Sequence, residues 1–122
     1  MNDNTTRKPT LVLGGRCVFS VEHPIYTAPR QPRWVTDDKG GSTWPIDAYL
    51  VEGPRSTDWL TKGVIKQHRT LATYLRLLTA AGLAVHHVEE WGPTDEQIAL
   101  RPELAIERER PAFLLMTAVR QR

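Results

Sequence analysis

Chemistry in this chain is best sought at Glu22-His23, a carboxylate and an imidazole that close an apolar run directly before Pro24. Histidine side chains ordinarily titrate near neutrality, so His23 is a candidate general base toward an acceptor hydroxyl or amine, with Glu22 beside it as a substrate contact. The same two residues could instead only fix the turn into Pro24. A second polar pair, His68-Arg69, stands just before Thr70. It could line the same pocket, or Arg69 could pair structurally with Glu52 or Glu22. Between the two pairs lie Tyr26, Trp34, Trp44, Tyr49 and Trp59. They could wall an apolar pocket for a small molecule, or pack among themselves to close this segment over the rest of the chain.

Other chemistries have less to stand on. His86 and His87 are neighbours in a strand-like run and point to opposite faces, so they cannot ligate one metal together. There is no HExxH pattern, no cysteine pair and no carboxylate cluster at ligand spacing, so no metal site is expected. A serine hydrolase is unsupported without a G-x-S-x-G turn. The single cysteine, Cys17, sits in an apolar run and reads as a buried thiol. Sixteen Lys plus Arg against fourteen Asp plus Glu leave a scattered net charge of +2, without the basic stripe of a nucleic-acid partner. No apolar run approaches the roughly 18 residues of a membrane span, and the polar start of the chain has no signal-peptide core. The expected location is the cytoplasm.

The positioning elements follow from pattern. At 122 residues the chain suits a single domain. Residues 1–10 read as a disordered polar tail. Arg16 to Glu22 (RCVFSVE) has the nearly continuous apolar, β-branched and aromatic content of a strand buried on both faces. Pro24, Pro29, Pro32 and Pro45 with Gly40-Gly41-Ser42 rule out a sustained helix or central strand through 24–45. Such a long irregular segment suits a lid or binding loop. Ile46 to Glu52 and Gly63 to His68 are expected to pair as a hairpin around the turn chemistry of Gly53 to Asp58. Thr70 can cap a helix that carries Leu71, Leu75 and Leu78 on one face and stops at Gly82. Leu83 to Trp91 then forms a strand, Asp95 to Leu100 a short helix, and Ala112 to Val119 a last strand. A helix running tightly into a strand is the habit of an α/β layered fold.

Beside this reading stands a resemblance over about 11–120. The Gly14-Gly15-Arg16 turn before RCVFSVEHP, the later Tyr49-Leu50-Val51-Glu52-Gly53, and His68-Arg69-Thr70-Leu71 with Tyr74 and Ala81-Gly82-Leu83 are its main carriers. With the closing Arg110-Pro111-Ala112-Phe113-Leu114-Leu115, their order and spacing resemble the C-terminal half of class I S-adenosylmethionine-dependent methyltransferases of a bacterial small-molecule branch. The resemblance implies a seven-stranded sheet in the order 3-2-1-4-5-7-6 with strand seven antiparallel. Arg16–Glu22 would be strand five, Ala84–Glu90 strand six and Ala112–Val119 strand seven. The expected fold is thus a partial Rossmann-like α/β sheet with one main helix, residues 24–68 forming a hairpin-bearing insert over the substrate side.

The departure from the family is as informative. Its glycine-rich cofactor loop, its ribose-holding acidic residue and the groups after its third and fourth strands all precede the region that this sequence matches. Gly14-Gly15 is not followed by a helix and cannot replace that loop. The resemblance therefore implies S-adenosylmethionine as cofactor of the intact family, a small-molecule methyl acceptor as partner, and no tight cofactor binding or activity by this chain alone. A shortened gene product is expected ahead of pairing, through the open sheet edge, with a separate N-terminal half or as a homodimer; a degenerate relative is the third reading. The alternative from another class is a non-catalytic, ferredoxin-like α/β dimer that binds a ligand beneath the aromatic insert.

Overall fold

A computed structural model describes residues 13–57 and 63–121. The expected tail over 1–10 and Trp59 lie outside the described residues. The central sheet has three strands, β1 (Arg16–Glu22), β6 (Leu83–Glu90) and β7 (Phe113–Arg120), in the order β1-β7-β6. β7 runs antiparallel to both neighbours, from Arg16↔Val119 to Glu22↔Phe113 on one side and from Leu83↔Arg120 to Glu90↔Leu114 on the other. The order is the one expected for strands five, seven and six. A bulge between Val85 and His87 leaves His86 outside the ladder.

Period-two alternation sets the two faces of the sheet. Leu114, Met116 and Ala118 of β7 are fully buried on one face, beside half-buried Cys17, Phe19 and Val21. The other face is open: Val18 is 63% exposed and Phe113 52%. This corrects the expectation that β1 is buried on both sides, because no described element lies over Val18 and Ser20. A groove of about 360 Å³ runs along the open face between Ser20, Glu89, Trp91, Phe113 and Leu115.

The helix α2 (Leu71–Ala80) forms as the sequence implied. Thr70 Oγ1 accepts the Thr73 amide at 3.1 Å, and Gly82 at φ +80° takes the left-handed turn that lets the chain enter β6. A second helix-start signal is fulfilled at α3 (Asp95–Leu100), where Thr94 and Gln97 form a reciprocal capping box. A 3-10 helix over Pro102–Arg108 then leads into β7.

The insert departs from expectation twice. Pro24–Thr27 makes a short helix, α1, despite the surrounding prolines, because Pro24 occupies its first turn, where a missing amide costs nothing. The hairpin is real but shifted: β4 is Gly53–Thr57 rather than Ile46–Glu52, and it pairs with β5 (Val64–His68). Ala48 at φ 51° and a turn closed by Val51 N to Ala48 O break the earlier segment. The reason lies in Arg55, which the turn chemistry concealed. Its buried guanidinium donates to the carbonyls of Ala28, Ala48 and Val51 at 2.8, 3.0 and 2.7 Å, tying the loop to α1. A two-stranded ribbon, β2 (Val35–Thr36) with β3 (Ser42–Thr43), completes the insert.

Candidate functional site

β1 and β6 run parallel to each other, and their carboxyl ends lie together with the start of β7. In open α/β sheets this is the end at which ligands bind. Glu22, His23, Glu90 and Arg110 gather there, and the insert that follows β1 supplies the rest of the candidate site.

His23 is only 3% exposed, and both ring nitrogens are engaged. Nδ1 accepts the Ile25 amide at 3.0 Å and so caps α1. That bond leaves the proton on Nε2, which donates to Glu90 Oε2 at 2.6 Å. In this arrangement no ring lone pair is left for a substrate proton, so His23 serves as a cap and as an orienting group for Glu90. The Glu90 side chain is 56% exposed, which leaves the carboxylate reachable from solvent. Sequence reading passed over Glu90 because 67 residues separate it from His23.

Glu22 pairs with Lys66 at 2.8 Å, not with Arg69. Lys66 also lies 5.0 Å from the centre of the Tyr26 ring. Arg69 is exposed and makes neither of the expected pairs; Glu52 instead accepts from the Thr70 amide at 2.8 Å, at the start of α2. Hydrogen bonds from Thr73 and Thr70, and more weakly the charge of Arg76, hold the Glu52 carboxyl below the usual carboxylate range against a smaller opposing effect of burial.

His68 is fully buried. Its Nε2 donates to the Tyr49 carbonyl at 2.7 Å, which makes Nδ1 the acceptor for the Thr27 hydroxyl, also at 2.7 Å. The Tyr49 ring meets His68 edge-on and its hydroxyl accepts the Leu71 amide at 3.2 Å. Tyr49, Glu52 and His68 thus form one latch joining α1, the loop before β4 and the start of α2. Both ring nitrogens of His68 are thereby engaged within the fold.

The aromatics divide accordingly. Tyr26, Trp34 and Trp44 stand around the Arg110 guanidinium, whose carbon is 4.7, 4.7 and 4.6 Å from their ring centres. Tyr26 and Trp44 stack 5.5 Å apart with planes within 2°, Trp34 meets Trp44 edge-on, and the Trp44 indole donates to the Ile25 carbonyl at 2.9 Å. Arg110 gave no signal as a site residue, being 84 positions from Tyr26 (110 less 26) in a run of alternating charges.

Among the described residues, the Gly14-Gly15 pair does not form a cofactor-cradling loop. Gly14 and Gly15 lie at the amino end of β1, opposite the ligand end, and their backbones only extend the ladder to Arg120 at 2.9 and 3.0 Å. No helix follows them to present free amides. Among the described residues, no group of three or more His, Cys, Asp or Glu could hold a metal ion, and no helix is long and apolar enough to cross a membrane.

No family model matches the sequence, and no curated protein does. Among solved structures, the chain is similar to an S-adenosylmethionine-dependent methyltransferase from Mesorhizobium loti. The identity is 61% and the TM-score 0.82, over 88% of this chain and 49% of that one. It is likewise similar to a Listeria monocytogenes protein assigned to the same class, at 38% identity and a TM-score of 0.81, over 93% of this chain and 51% of that one. The chain spans about half the length of the solved relatives it matches. Its identity with them and its β1-β7-β6 order place it in the S-adenosylmethionine-dependent methyltransferase family, as the C-terminal half of such a domain.

Proposed function

We propose that this chain forms the acceptor side of a methyltransferase acting on a small molecule, with S-adenosylmethionine held by groups that these residues do not supply. The observation that carries the reading is the match, at 61% identity, to half of an S-adenosylmethionine-dependent methyltransferase. Methyl transfer asks a protein chiefly for alignment of acceptor and methyl donor. An insert closing over the carboxyl ends of the strands suits the acceptor's share of that task. The bare edge of β1 and the open face around Val18 and Phe113 are where a cofactor-binding half would pack. The same bare edge argues against the self-contained sheet of a ferredoxin-like dimer.

Titration calorimetry tests the division of labour. This chain is expected to show no stoichiometric binding of S-adenosylmethionine at micromolar concentration. Tight one-to-one binding would overturn it, because the cofactor groups would then lie within these residues.

A further inference from the structure

Arg110 is a confined charge at the ligand end of the sheet: it is 8% exposed, and three aromatic rings surround its guanidinium. Nη1 donates to Glu107 at 2.5 Å. Nε, in contrast, is sealed from solvent and has no hydrogen-bond partner among the described residues. No described residue accepts from Nη2 either. A guanidinium binds a planar carboxylate through two parallel N–H groups, and Nε with Nη2 is one such fork. Aromatic faces stabilise the cation but satisfy none of its N–H groups, so the fork remains open. Buried donors are nearly always paired, and an orphaned one is a cost that a ligand oxygen would remove.

We propose that Arg110 anchors a carboxylate of a small-molecule ligand through Nε and Nη2, beneath a lid made of Tyr26, Trp34 and Trp44. Glu107 holds the opposite side of the guanidinium and fixes its plane. Trp34 stands beside the short β2–β3 ribbon, so lifting this part of the insert exposes the fork, and closing it sandwiches an apolar ligand body against the rings. A monocarboxylate fits better than a phosphate dianion. One guanidinium edge offers two donors, and Glu107 already offsets its charge. That the ligand is the methyl acceptor rests on the methyl-transfer reading; that it binds here does not.

The test uses the whole chain and benzoate as the probe, followed through the Arg110 Nε–H resonance and the indole resonances of Trp34 and Trp44. Benzoate is expected to shift all three saturably, whereas inorganic phosphate and benzylammonium at equal concentration leave them in place. Arg110→Lys keeps the charge but loses the fork, and is expected to weaken benzoate at least about tenfold. Should that variant fail to fold, the wild-type Nε–H titration decides alone. An unmoved Nε–H signal, an equal response to phosphate, or undiminished binding by a folded Arg110→Lys protein would each overturn the proposal. None of these outcomes bears on cofactor binding, so failure here is distinct from failure of the methyl-transfer reading.

Discussion

His23 illustrates how a side chain's bonds limit its chemistry. The Ile25 amide takes the Nδ1 lone pair, and the remaining proton on Nε2 is directed at Glu90. A free imidazole would be a base; this one is a bracket between the end of β1 and the end of β6. His23→Asn retains a short side-chain acceptor for the cap, whereas His23→Ala removes it. The alanine variant is expected to lose about 1 kcal/mol more than the asparagine one in urea unfolding. Equal losses would show that the Glu90 bond, absent in both, carries the whole effect. At 3% exposure, water replaces neither bond easily.

At the scale of elements, α2 depends on its ends. Glu52 reaches its N-terminus from the loop before β4, and its carboxyl titrates below the ordinary glutamate range because the hydrogen bonds from Thr73 and Thr70 favour the charged form. A carboxyl with a depressed folded value stabilises the fold fully above its unfolded value, and that contribution disappears as pH falls through the folded one. The melting temperature of the wild-type chain is therefore expected to fall as pH drops below about 4.5 more steeply than that of Glu52→Gln, compared by circular dichroism. At the other end, Gly82→Ala meets no atom within 4 Å and is strained only by its backbone at φ +80°. A loss of about 1 kcal/mol or more in urea unfolding is expected.

These same elements show what a sequence can reveal. α2, α3, β6 and β7 were legible because caps, stops and periodicity are local signals. The β4 strand was not, since Gly53 and Pro54 carry turn chemistry and only the distant carbonyls of Ala28 and Ala48 explain Arg55. At the candidate site, the position of Glu22 and His23 at the end of β1 was legible from the apolar run that precedes them. Glu90 and Arg110 were not, because β7 brings them to β1 from the far end of the chain.

For the whole molecule, the dominant fact is an uncovered sheet. Val18 and Phe113 stand exposed on one face, the groove beside Trp91 adjoins them, and one edge of β1 is unpaired among the described residues. Apolar surface continuous with free backbone groups promotes association of chains. Self-association that rises with concentration is expected by light scattering, and Val18→Lys is expected to diminish it without lowering the melting temperature. Unchanged scattering in that variant would place the contact elsewhere.

The central position of β7 has a further consequence, for the order of events during synthesis. β1 leaves the ribosome long before its hydrogen-bonding partner, Phe113–Arg120. Among the described strands, β6 too pairs only with β7. Neither strand can pair in this sheet until β7 has been made, so the sheet must assemble in a single step that closes loops of long sequence separation. Long-range closure of this kind is slow and leaves nascent strands exposed to mispairing. Nascent chains stalled before Phe113 are accordingly expected to be held by chaperones or degraded rather than to persist as a folded intermediate.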